Sequence, residues 1–349
     1  MELVMDGSLK IQNHPEQHYR TLFHQKTGFF VRKEEDGFPE PSWSAEGPEL
    51  IDLSITSFCG RKCSFCYRRA NNANYLHMKM MDIISVVDQA AACGTMQIAL
   101  GGGNPNEHPL FEDILRLIRE HDIVPSYTSN GDGLSNSILK ATAEHCGAMA
   151  ISVYPPYDMD YYDRLIQRIQ GFGIKVNLHA ILHSNTIRLW TQFLENPPMV
   201  LKRVNAIIFL NYKPMGKKRL ELCARHKEIA AKFFRTANNC TSVKIGFDSC
   251  SISGIVNWMS IPDLLIEPCE AARFSAFISE DMKMYPCSFM VSSQDFGDLR
   301  KNSLIDIWKS HHLFSNFRES SLPSRCISCS HLNVCKGGCK LIDEINFCS

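Results

Sequence analysis

The chain has 349 residues, of which 44% are hydrophobic and 21% are charged, as is ordinary for a globular protein of one or two domains. Lysine plus arginine and aspartate plus glutamate each number 37, so the formal net charge of zero gives no overall attraction to nucleic acid or to an anionic membrane. The sequence has no apolar run of eighteen residues and no basic segment followed by an apolar stretch near residue 1, so neither a membrane span nor a secretory signal is expected.

The predicted elements begin with a polar segment. Residues 1–48 are interrupted by glycine and proline, which predicts an N-terminal extension with little core of its own. From residue 49 onward, short apolar runs alternate with helix-like segments. The strands are predicted at 50–55, 97–100, 124–128, 148–153, 174–181 and 204–210. The helices are predicted at 78–92, 108–121, 134–145, 158–170, 186–195 and 217–235.

These alternating elements favour an α/β fold built from parallel βα units. Six units are too few to close a barrel of eight, so residues 49–237 predict a partial (β/α)6 TIM-like barrel with its active site at the carboxyl ends of the strands. The alternation stops near residue 237, and a hairpin is expected to span 241–285. Residues 238–349 predict a small cysteine-rich α+β domain that depends on bound metal, because they contain few apolar runs.

Fifteen cysteines are the unusual feature of the composition. Without a recognisable secretory signal, cysteines at this density favour metal binding over disulfides, and we expect a reducing, cytoplasmic location. Cys59, Cys63 and Cys66 directly follow the first barrel strand with C-x3-C-x2-C spacing. Three thiolates leave one ligand position open, as catalytic metal sites do, and thiolates suit iron–sulfur clusters. Part of a zinc site is the alternative interpretation.

A glycine loop follows the second predicted strand, where Gly101, Gly102 and Gly103 stand in the sequence ALGGGNP. Glycine has no Cβ, so a ligand can approach the backbone closely there. A dinucleotide fingerprint read from Gly101 would require glycine at position 106, which is Asn106, so a nicotinamide site is not expected.

With the aromatic Phe65 before its third cysteine, the triad resembles the signature of the radical S-adenosylmethionine (SAM) superfamily. The resemblance implies that the triad binds a 4Fe–4S cluster, whose open iron holds SAM by its amino and carboxylate groups. An electron from that cluster would then cleave SAM to a 5′-deoxyadenosyl radical, which abstracts hydrogen from the substrate.

The same resemblance implies where SAM is contacted. The glycine loop would meet its methionine amino group, and Asn130, in the sequence SNG after the third strand, would lie near its ribose. Ser152, Asn177 and His179, on the next two strands, are expected to make further contacts with the cofactor. Polar residues of the barrel core are the alternative interpretation of these last three.

The C-terminal cysteines have a spacing that alone would also suit a zinc ribbon, because Cys326, Cys329, Cys335 and Cys339 form C-x2-C-x5-C-x3-C. Together with Cys348 and the upstream cysteines, they resemble the SPASM domain of many radical SAM enzymes. That resemblance implies two auxiliary 4Fe–4S clusters. The outer cluster would be held by Cys326, Cys329, Cys335 and Cys348, and the inner cluster by Cys269, Cys287 and Cys339.

The inner cluster departs from a complete ligand set. No cysteine lies between Cys269 and Cys287, so its fourth position is filled by Cys250, by a group other than cysteine, or is open. We expect an open iron that binds a substrate thiolate or accepts the substrate's electron. Met282 also stands where the family often has glycine. The cysteines that fit no ligand spacing, Cys93, Cys146, Cys223 and Cys240, are expected to be structural.

Residues 209–219, FLNYKPMGKKR, follow the sixth strand and are expected to line the mouth of the barrel. The cations of this segment are candidates to bind a substrate carboxylate, with an exposed helix start as the alternative: Lys213, Lys217, Lys218 and Arg219. Tyr212 is a candidate to face the cofactor. Asp248, in GFDSC, is a candidate general base, with a structural turn as the alternative.

The resemblance implies an enzyme that modifies or crosslinks a ribosomally made peptide. The alternatives are a radical SAM enzyme acting on a small metabolite or on a protein, as sulfatase maturases do, and a noncatalytic iron–sulfur regulator. Ser288 stands where sulfatase maturases commonly carry aspartate, which argues against that chemistry. The first 48 residues are too few for the leader-binding domain of many peptide-crosslinking members. Leader recognition is therefore expected to use another surface or a separate leader-binding protein. The other expected partners are a peptide or small-protein substrate and a reductase, flavodoxin or ferredoxin as electron donor.

Overall fold

The computed structural model describes residues 8–61, 63–70 and 74–348. Residues 1–7 of the predicted extension and residue 349 of the predicted C-terminal domain lie outside the described residues. The strands are β1 (Leu9–His14), β2 (Tyr19–His24), β3 (Phe29–Glu34), β4 (Leu50–Thr56), β5 (Gln97–Gly102), β6 (Val124–Ser129), β7 (Met149–Val153), β8 (Val176–Leu182), β9 (Ala206–Asn211), β10 (Ile245–Phe247), β11 (Ser275–Ile278), β12 (Lys283–Tyr285) and β13 (Gly297–Asp298).

The α-helices are α1 (Met80–Ala92), α2 (Phe111–Glu120), α3 (Asn136–His145), α4 (Met159–Gln170), α5 (Ser184–Glu195), α6 (Met199–Arg203), α7 (Lys227–Asn239), α8 (Ile252–Trp258), α9 (Leu304–Ser310), α10 (His312–Glu319) and α11 (Leu332–Cys335). Across the described part of the chain, none of these helices combines the length and the apolar character that crossing a membrane requires.

A ten-stranded open sheet forms the centre of the protein, in the order β10-β9-β8-β7-β6-β5-β4-β11-β12-β13. Strands β4 to β10 are parallel, and the six predicted strands correspond to β4–β9. The partial TIM-like barrel is therefore confirmed. β10 is a seventh parallel strand that was not predicted, since its three residues are too few to show a periodic pattern.

The C-terminal part joins the same sheet. β11 lies parallel to β4, and β12 and β13 then run antiparallel, so the expected hairpin is confined to β11 and β12. Residues 241–274 instead contain β10 and α8. The sheet is consequently continuous across the predicted domain boundary at residue 237.

The barrel strands have two different faces. On β4, Ile51 and Leu53 are at most 1% exposed, whereas Asp52 between them is exposed. The same alternation of buried and half-buried residues runs along β8 and β9. The buried residues belong to the large core between sheet and helices. The other face lines a lumen that solvent reaches, so the barrel has an interior in which a ligand can lie.

The N-terminal extension contains a small sheet that was not predicted. β1, β2 and β3 form an antiparallel sheet in which Tyr19 and Phe23 of β2 are 2% and 1% exposed. Phe23 packs against Met96, just before β5, and Val124, the first residue of β6. The small sheet therefore covers the amino ends of the barrel strands, at the end opposite the cysteine triad.

The sixth predicted helix begins later than expected. α7 starts at Lys227, and residues 217–222 form a loop because tertiary hydrogen bonds hold this backbone in an irregular path. Lys218 N donates to Ser64 O (2.9 Å), and Leu220 N donates to the Tyr212 hydroxyl (3.1 Å). The cations of this segment consequently lie on a loop beside the triad and not on a helix.

Candidate functional site

The three cysteines of the triad lie on the loop that leaves the carboxyl end of β4. Cys66 N donates to Cys63 O (3.2 Å), and Asn130 Nδ2 approaches Cys59 Sγ at 3.5 Å. All three thiols are free and half-buried. Burial raises the pKa of Cys63, and the thiolates of Cys66 and Cys59 raise it further. Three thiolates at this position therefore need a bound cation to compensate their charge, so the donor set fits an iron–sulfur cluster.

Hydrogen bonds connect this loop to the loops after β5 and β6. Arg61 forms a two-pronged ion pair with Asp132, with Nε at 2.8 Å and a terminal nitrogen at 3.2 Å from the carboxylate oxygens. Asp132 N donates to Asn130 Oδ1 (2.7 Å), and Asn130 N donates to Asn104 Oδ1 (3.1 Å). The three loops consequently hold one another in place before any ligand binds. No motif in the sequence marks Arg61, Asn104 or Asp132, because each meets its partner only through the packing of these loops.

The glycine loop lies against the triad loop so closely that side chains are excluded. A Cβ on Gly102, whose φ is +105°, would lie 2.2 Å from Thr56 O, and a Cβ on Gly103 would lie 1.8 Å from Phe58 O. Gly101 has no atom within 4 Å of the position of a Cβ. Gly102 and Gly103 are therefore required for packing, and Gly101 leaves open space at the mouth of the lumen where a ligand would approach.

Gly103→Ala is expected to displace Phe58, which precedes Cys59, and so to disturb the triad. SAM binding should weaken about tenfold or more, equivalent to about 1.4 kcal/mol, and the iron content should fall. Gly101→Ala, which meets no atom within 4 Å, should retain the iron of the parent. Iron analysis and equilibrium dialysis with labelled SAM measure both effects. A Gly103→Ala protein that matches the parent in both would contradict this account of the loop.

The remaining expected cofactor residues are placed at different heights in the barrel. Asn130 is buried beside Cys59, and Ser152, near the carboxyl end of β7, is hydrogen-bonded to the Tyr154 hydroxyl. His179 lies halfway along β8, 3.2 Å from Thr128 Oγ1, and burial lowers its pKa to about 4, so its ring is neutral. Asn130 and Ser152 are thus close to the triad, and His179 forms the lumen wall.

Asn177 is not brought to the triad. It is the second residue of β8, near the amino end, and its Oδ1 accepts a hydrogen bond from Asn205 Nδ2 (2.8 Å). Because the triad loop leaves the opposite end of the barrel, this position favours the alternative interpretation of a polar barrel residue for Asn177.

Phe65 and Tyr212 pack in one small cluster beside the triad. Phe65 also approaches Tyr154, with ring centroids 5.9 Å apart. Tyr212 is 4% exposed, and its hydroxyl donates to Lys218 O (3.2 Å) and accepts from Leu220 N. The hydroxyl is thus occupied by the loop, which favours a role for Tyr212 in shaping that loop.

The carboxylate of Asp248 has an ion-pair partner and two hydrogen-bond donors. Its carboxylate forms an ion pair with Lys213, accepts Asn211 N at 3.1 Å, and accepts Ser251 Oγ at 2.8 Å. These partners favour the structural alternative over the general-base prediction. Burial alone would lower the pKa of Lys213, but the Asp248 carboxylate and the Cys250 sulfur raise it, so the ammonium remains charged. Lys213 is therefore withdrawn from the mouth, where it was expected to meet substrate.

The C-terminal cysteines gather in two groups. In the first, burial raises the pKa of Cys287 to about 12, with further increases from the thiolates of Cys269 and Cys339. In the second, burial raises the pKa of Cys335 to about 11, and the thiolates of Cys348 and Cys326 add to it. The Cys329 thiolate likewise contributes to the raised pKa of Cys326, after burial. These groups correspond to the ligand sets that the resemblance implied for the inner and outer clusters, including the separation of Cys339 from its neighbours in sequence.

Two residues of the triad loop contact the segments around the first of these groups. Tyr67, which follows Cys66, packs on Phe289 with ring centroids 4.5 Å apart and hydrogen-bonds to Ser288, which follows Cys287. Arg68 forms a buried ion pair with Glu280 (2.5 Å), whose carboxylate also accepts Ser54 Oγ. These residues were missed because their partners lie more than 200 positions away in sequence.

A cavity of about 560 Å³ opens between these segments. Its lining comes from the triad loop, from the loop after β9 and from the residues around the β11–β12 turn, and includes Arg68, Arg69, Arg219, Glu280 and Asp281. This volume is within the range of about 300–1,000 Å³ that is usual for ligand pockets. Of the four cations predicted to lie at the mouth of the barrel, Arg219 lines the described part of this cavity. Lys217 and Lys218 are exposed on the same loop but lie outside the lining.

Two family models match the chain and together cover more than half of it. The model of the radical SAM superfamily matches residues 53–193, and the SPASM model, described as an iron–sulfur cluster-binding domain, matches residues 269–330. The first match contains the triad, the glycine loop and Asn130, and the second contains Cys269, Cys287, Cys326 and Cys329.

Similar proteins include a PqqA peptide cyclase of Ruegeria pomeroyi, which is 22% identical over 87% of this chain and 85% of its own. A cysteine-type anaerobic sulfatase-maturating enzyme of Clostridium perfringens is also 22% identical, over 83% of this chain and 88% of its own. The crystal structure of Streptococcus suis SuiB bound to the precursor peptide SuiA shares the fold, with a TM-score of 0.66, 17% identity, and coverage of 84% of this chain and 72% of that one.

The domain matches agree with the geometry of the thiols. Both domains imply 4Fe–4S clusters, and the first implies SAM, so these are the cofactors of the protein. The chain is a member of the radical SAM superfamily with a C-terminal SPASM iron–sulfur cluster-binding domain.

Proposed function

We propose that this enzyme modifies or crosslinks a ribosomally made peptide. The observation that carries the proposal is the cavity at the mouth of an open lumen, lined jointly by the triad loop and by the segments that surround the inner thiols. When bound, the cluster at the triad supplies the one-electron chemistry that cleaves SAM and begins hydrogen abstraction from the substrate. A PqqA peptide cyclase and a peptide-bound SuiB among the similar proteins support a peptide as the substrate.

The chain's own residues would position these components. Cys59, Cys63 and Cys66 would hold the triad cluster, and Phe65 and the glycine loop would close around SAM, with Asn130 and Ser152 as further contacts. The inner and outer thiol groups would each hold an auxiliary cluster. The neutral His179 would shape the lumen without adding charge.

The proposal extends to partners and location. Reduction of the clusters requires an electron donor such as a flavodoxin, a ferredoxin or a reductase. Another surface of this chain or a separate protein would recognise the leader of the precursor peptide. All fifteen cysteines are free thiols, which suits a reducing cytoplasm.

The test is an anaerobic assay with reconstituted enzyme, dithionite and SAM, in the presence of short peptides encoded beside the gene. About twelve irons per chain are expected for three clusters of four. A matching peptide should increase 5′-deoxyadenosine formation and lose hydrogen mass, and deuterium placed in that peptide should appear in 5′-deoxyadenosine. Stimulation by a sulfatase peptide or by a metabolite fraction, with no response to any precursor peptide, would overturn the proposal in favour of the corresponding alternative.

Arg219 is expected to contribute to substrate affinity, since it lines the cavity as an exposed cation. Arg219→Glu should lower kcat/KM for a peptide with an acidic core about two- to fivefold, as expected for a single exposed charge contact. Cleavage of SAM without peptide should not change. Lys217→Glu, on the same loop but outside the cavity lining, is the matched control. Equal losses in the two variants would show that the effect arises from the general charge of the loop.

A further inference from the structure

The inner thiol group has a fourth cysteine beside it that the spacing of the motif does not reveal. Cys250 lies nineteen positions before Cys269, in the segment between β10 and α8. Its side chain and that of Cys339 both pack against the small cluster that contains Tyr212, which brings the two sulfurs close together. A sulfur in contact with a proposed ligand of the inner cluster is placed to become a ligand itself.

Hydrogen bonds fix the Cys250 segment against the C-terminal segment. Asn211 Nδ2 donates both to Cys250 O (3.0 Å) and to Ile345 O (3.1 Å). Phe347 N donates to Ser253 Oγ (2.9 Å). These contacts join two segments about ninety positions apart in sequence, so the approach of Cys250 to Cys339 is built into the fold and does not depend on one flexible side chain.

A cation lies beside this pair of thiols. Lys213 is 7% exposed, forms an ion pair with Asp248, hydrogen-bonds to the Cys250 sulfur, and lies 5.0 Å from the centre of the Phe289 ring. Phe289 follows Cys287 by two positions. The Lys213 ammonium therefore lies between the Asp248 carboxylate and the Cys250 sulfur. Because it is buried, water does little to screen its charge.

We propose that Cys250 is the fourth thiolate ligand of the inner auxiliary cluster, and that Lys213 is a fixed cation that sets its reduction potential. The proposal rests on the assignment of Cys269, Cys287 and Cys339 to that cluster, which belongs to the proposed function. It replaces the expectation of an open iron. A closed inner cluster can transfer electrons, but it has no position for a substrate thiolate.

The ligand is tested in the full chain with Cys59, Cys63 and Cys66 all changed to alanine, so that the open iron of the triad does not interfere. This protein should retain about eight irons, and its reduced electron paramagnetic resonance spectrum should not respond to cyanide. Adding Cys250→Ala should make the spectrum respond to cyanide and make one cluster lose iron on mild oxidation. Cys240→Ala, a half-buried cysteine outside both groups, is the matched control.

The outcomes are distinct. A response to cyanide before Cys250 is changed, or an unchanged spectrum after Cys250→Ala, overturns the proposed ligand while leaving two auxiliary clusters in place. Absence of iron from the triple variant overturns the auxiliary clusters themselves, and with them this inference.

The role of Lys213 is tested by redox titration of the same triple variant. Lys213→Met should lower the reduction potential of the inner cluster by at least about 59 mV, which for one electron is a tenfold change in the equilibrium constant of reduction. Lys213→Arg should restore the potential. Asp248→Asn should shift the potential in the opposite direction, because it removes a negative charge. Shifts of the same sign in Lys213→Met and Asp248→Asn, or no shift in either, would overturn the assigned role, since a packing defect does not depend on the sign of the charge.

Discussion

Cys63→Ala is expected to reduce the cleavage of SAM to the rate seen without enzyme. A cubane cluster held by two thiolates in place of three loses its anchor to the protein, and no neighbouring cysteine outside the triad lies on the described part of that loop. Cys59→Ala and Cys66→Ala should have the same effect. The measurement is 5′-deoxyadenosine formed under dithionite, together with iron per chain, which should fall by about four.

Cys240→Ala is the matched control for this loss, because it removes a thiol that belongs to none of the three groups. The Cys63→Ala protein should unfold at nearly the temperature of the parent, since Cys63 is half-buried on a loop and not part of the core. A Cys63→Ala enzyme that still cleaves SAM at the parent rate would contradict the assignment of the triad.

The largest effect on stability is expected at Arg32, which joins the N-terminal sheet to the barrel. Its guanidinium is 7% exposed, contacts Glu49 at 2.7 Å and Glu270, and lies 3.7 Å from the centre of the Phe274 ring. Arg32→Met removes the cation and leaves two largely buried carboxylates without it. The free energy of unfolding should fall by about 3–5 kcal/mol, as measured when one partner of a buried ion pair is removed.

The matched control for this change is Arg20→Met, on the adjacent strand β2, where the arginine is exposed. Its effect should be within about 0.5 kcal/mol. Urea denaturation of both variants, followed by tryptophan fluorescence, measures the difference. Equal stability of the Arg32→Met and Arg20→Met proteins would contradict the importance of the buried pair.

The loss of folding stability caused by Arg32→Met should also depend on pH. Burial raises the pKa of Glu49 to about 7, although the Arg32 cation opposes the shift, so Glu49 binds a proton more readily in the folded than in the unfolded chain. The stability associated with that proton is complete below the ordinary glutamate pKa of about 4.5 and is lost as the pH rises through 7. Without Arg32 the buried carboxylate has lost its main cation, so Arg32→Met should be more destabilising at pH 8 than at pH 5.

The sequence by itself determined the elements whose cause is local. Strands β4–β9 were predicted because each is a short apolar run bounded by turn residues, and the triad and glycine loop were predicted because their spacing is contained within a few positions. The small N-terminal sheet was missed, since its core is completed by Met96 and Val124 of the barrel. The start of α7 was misplaced because the preceding residues are held by hydrogen bonds to the triad loop and to Tyr212.

Only the tertiary structure decided which side chains meet. Asp248 was a candidate base in the sequence, but its position beside Lys213 engages its carboxylate in an ion pair. The sequence left Cys250 as one of three candidates for the fourth position of the inner cluster, and the fold brings it to Cys339, 89 positions later in the chain. Spacing identifies ligands that are neighbours along the chain, because local geometry sets their distances. Ligands and counter-ions drawn from separate segments depend on how the sheet and the C-terminal segment pack, which is a property of the whole fold.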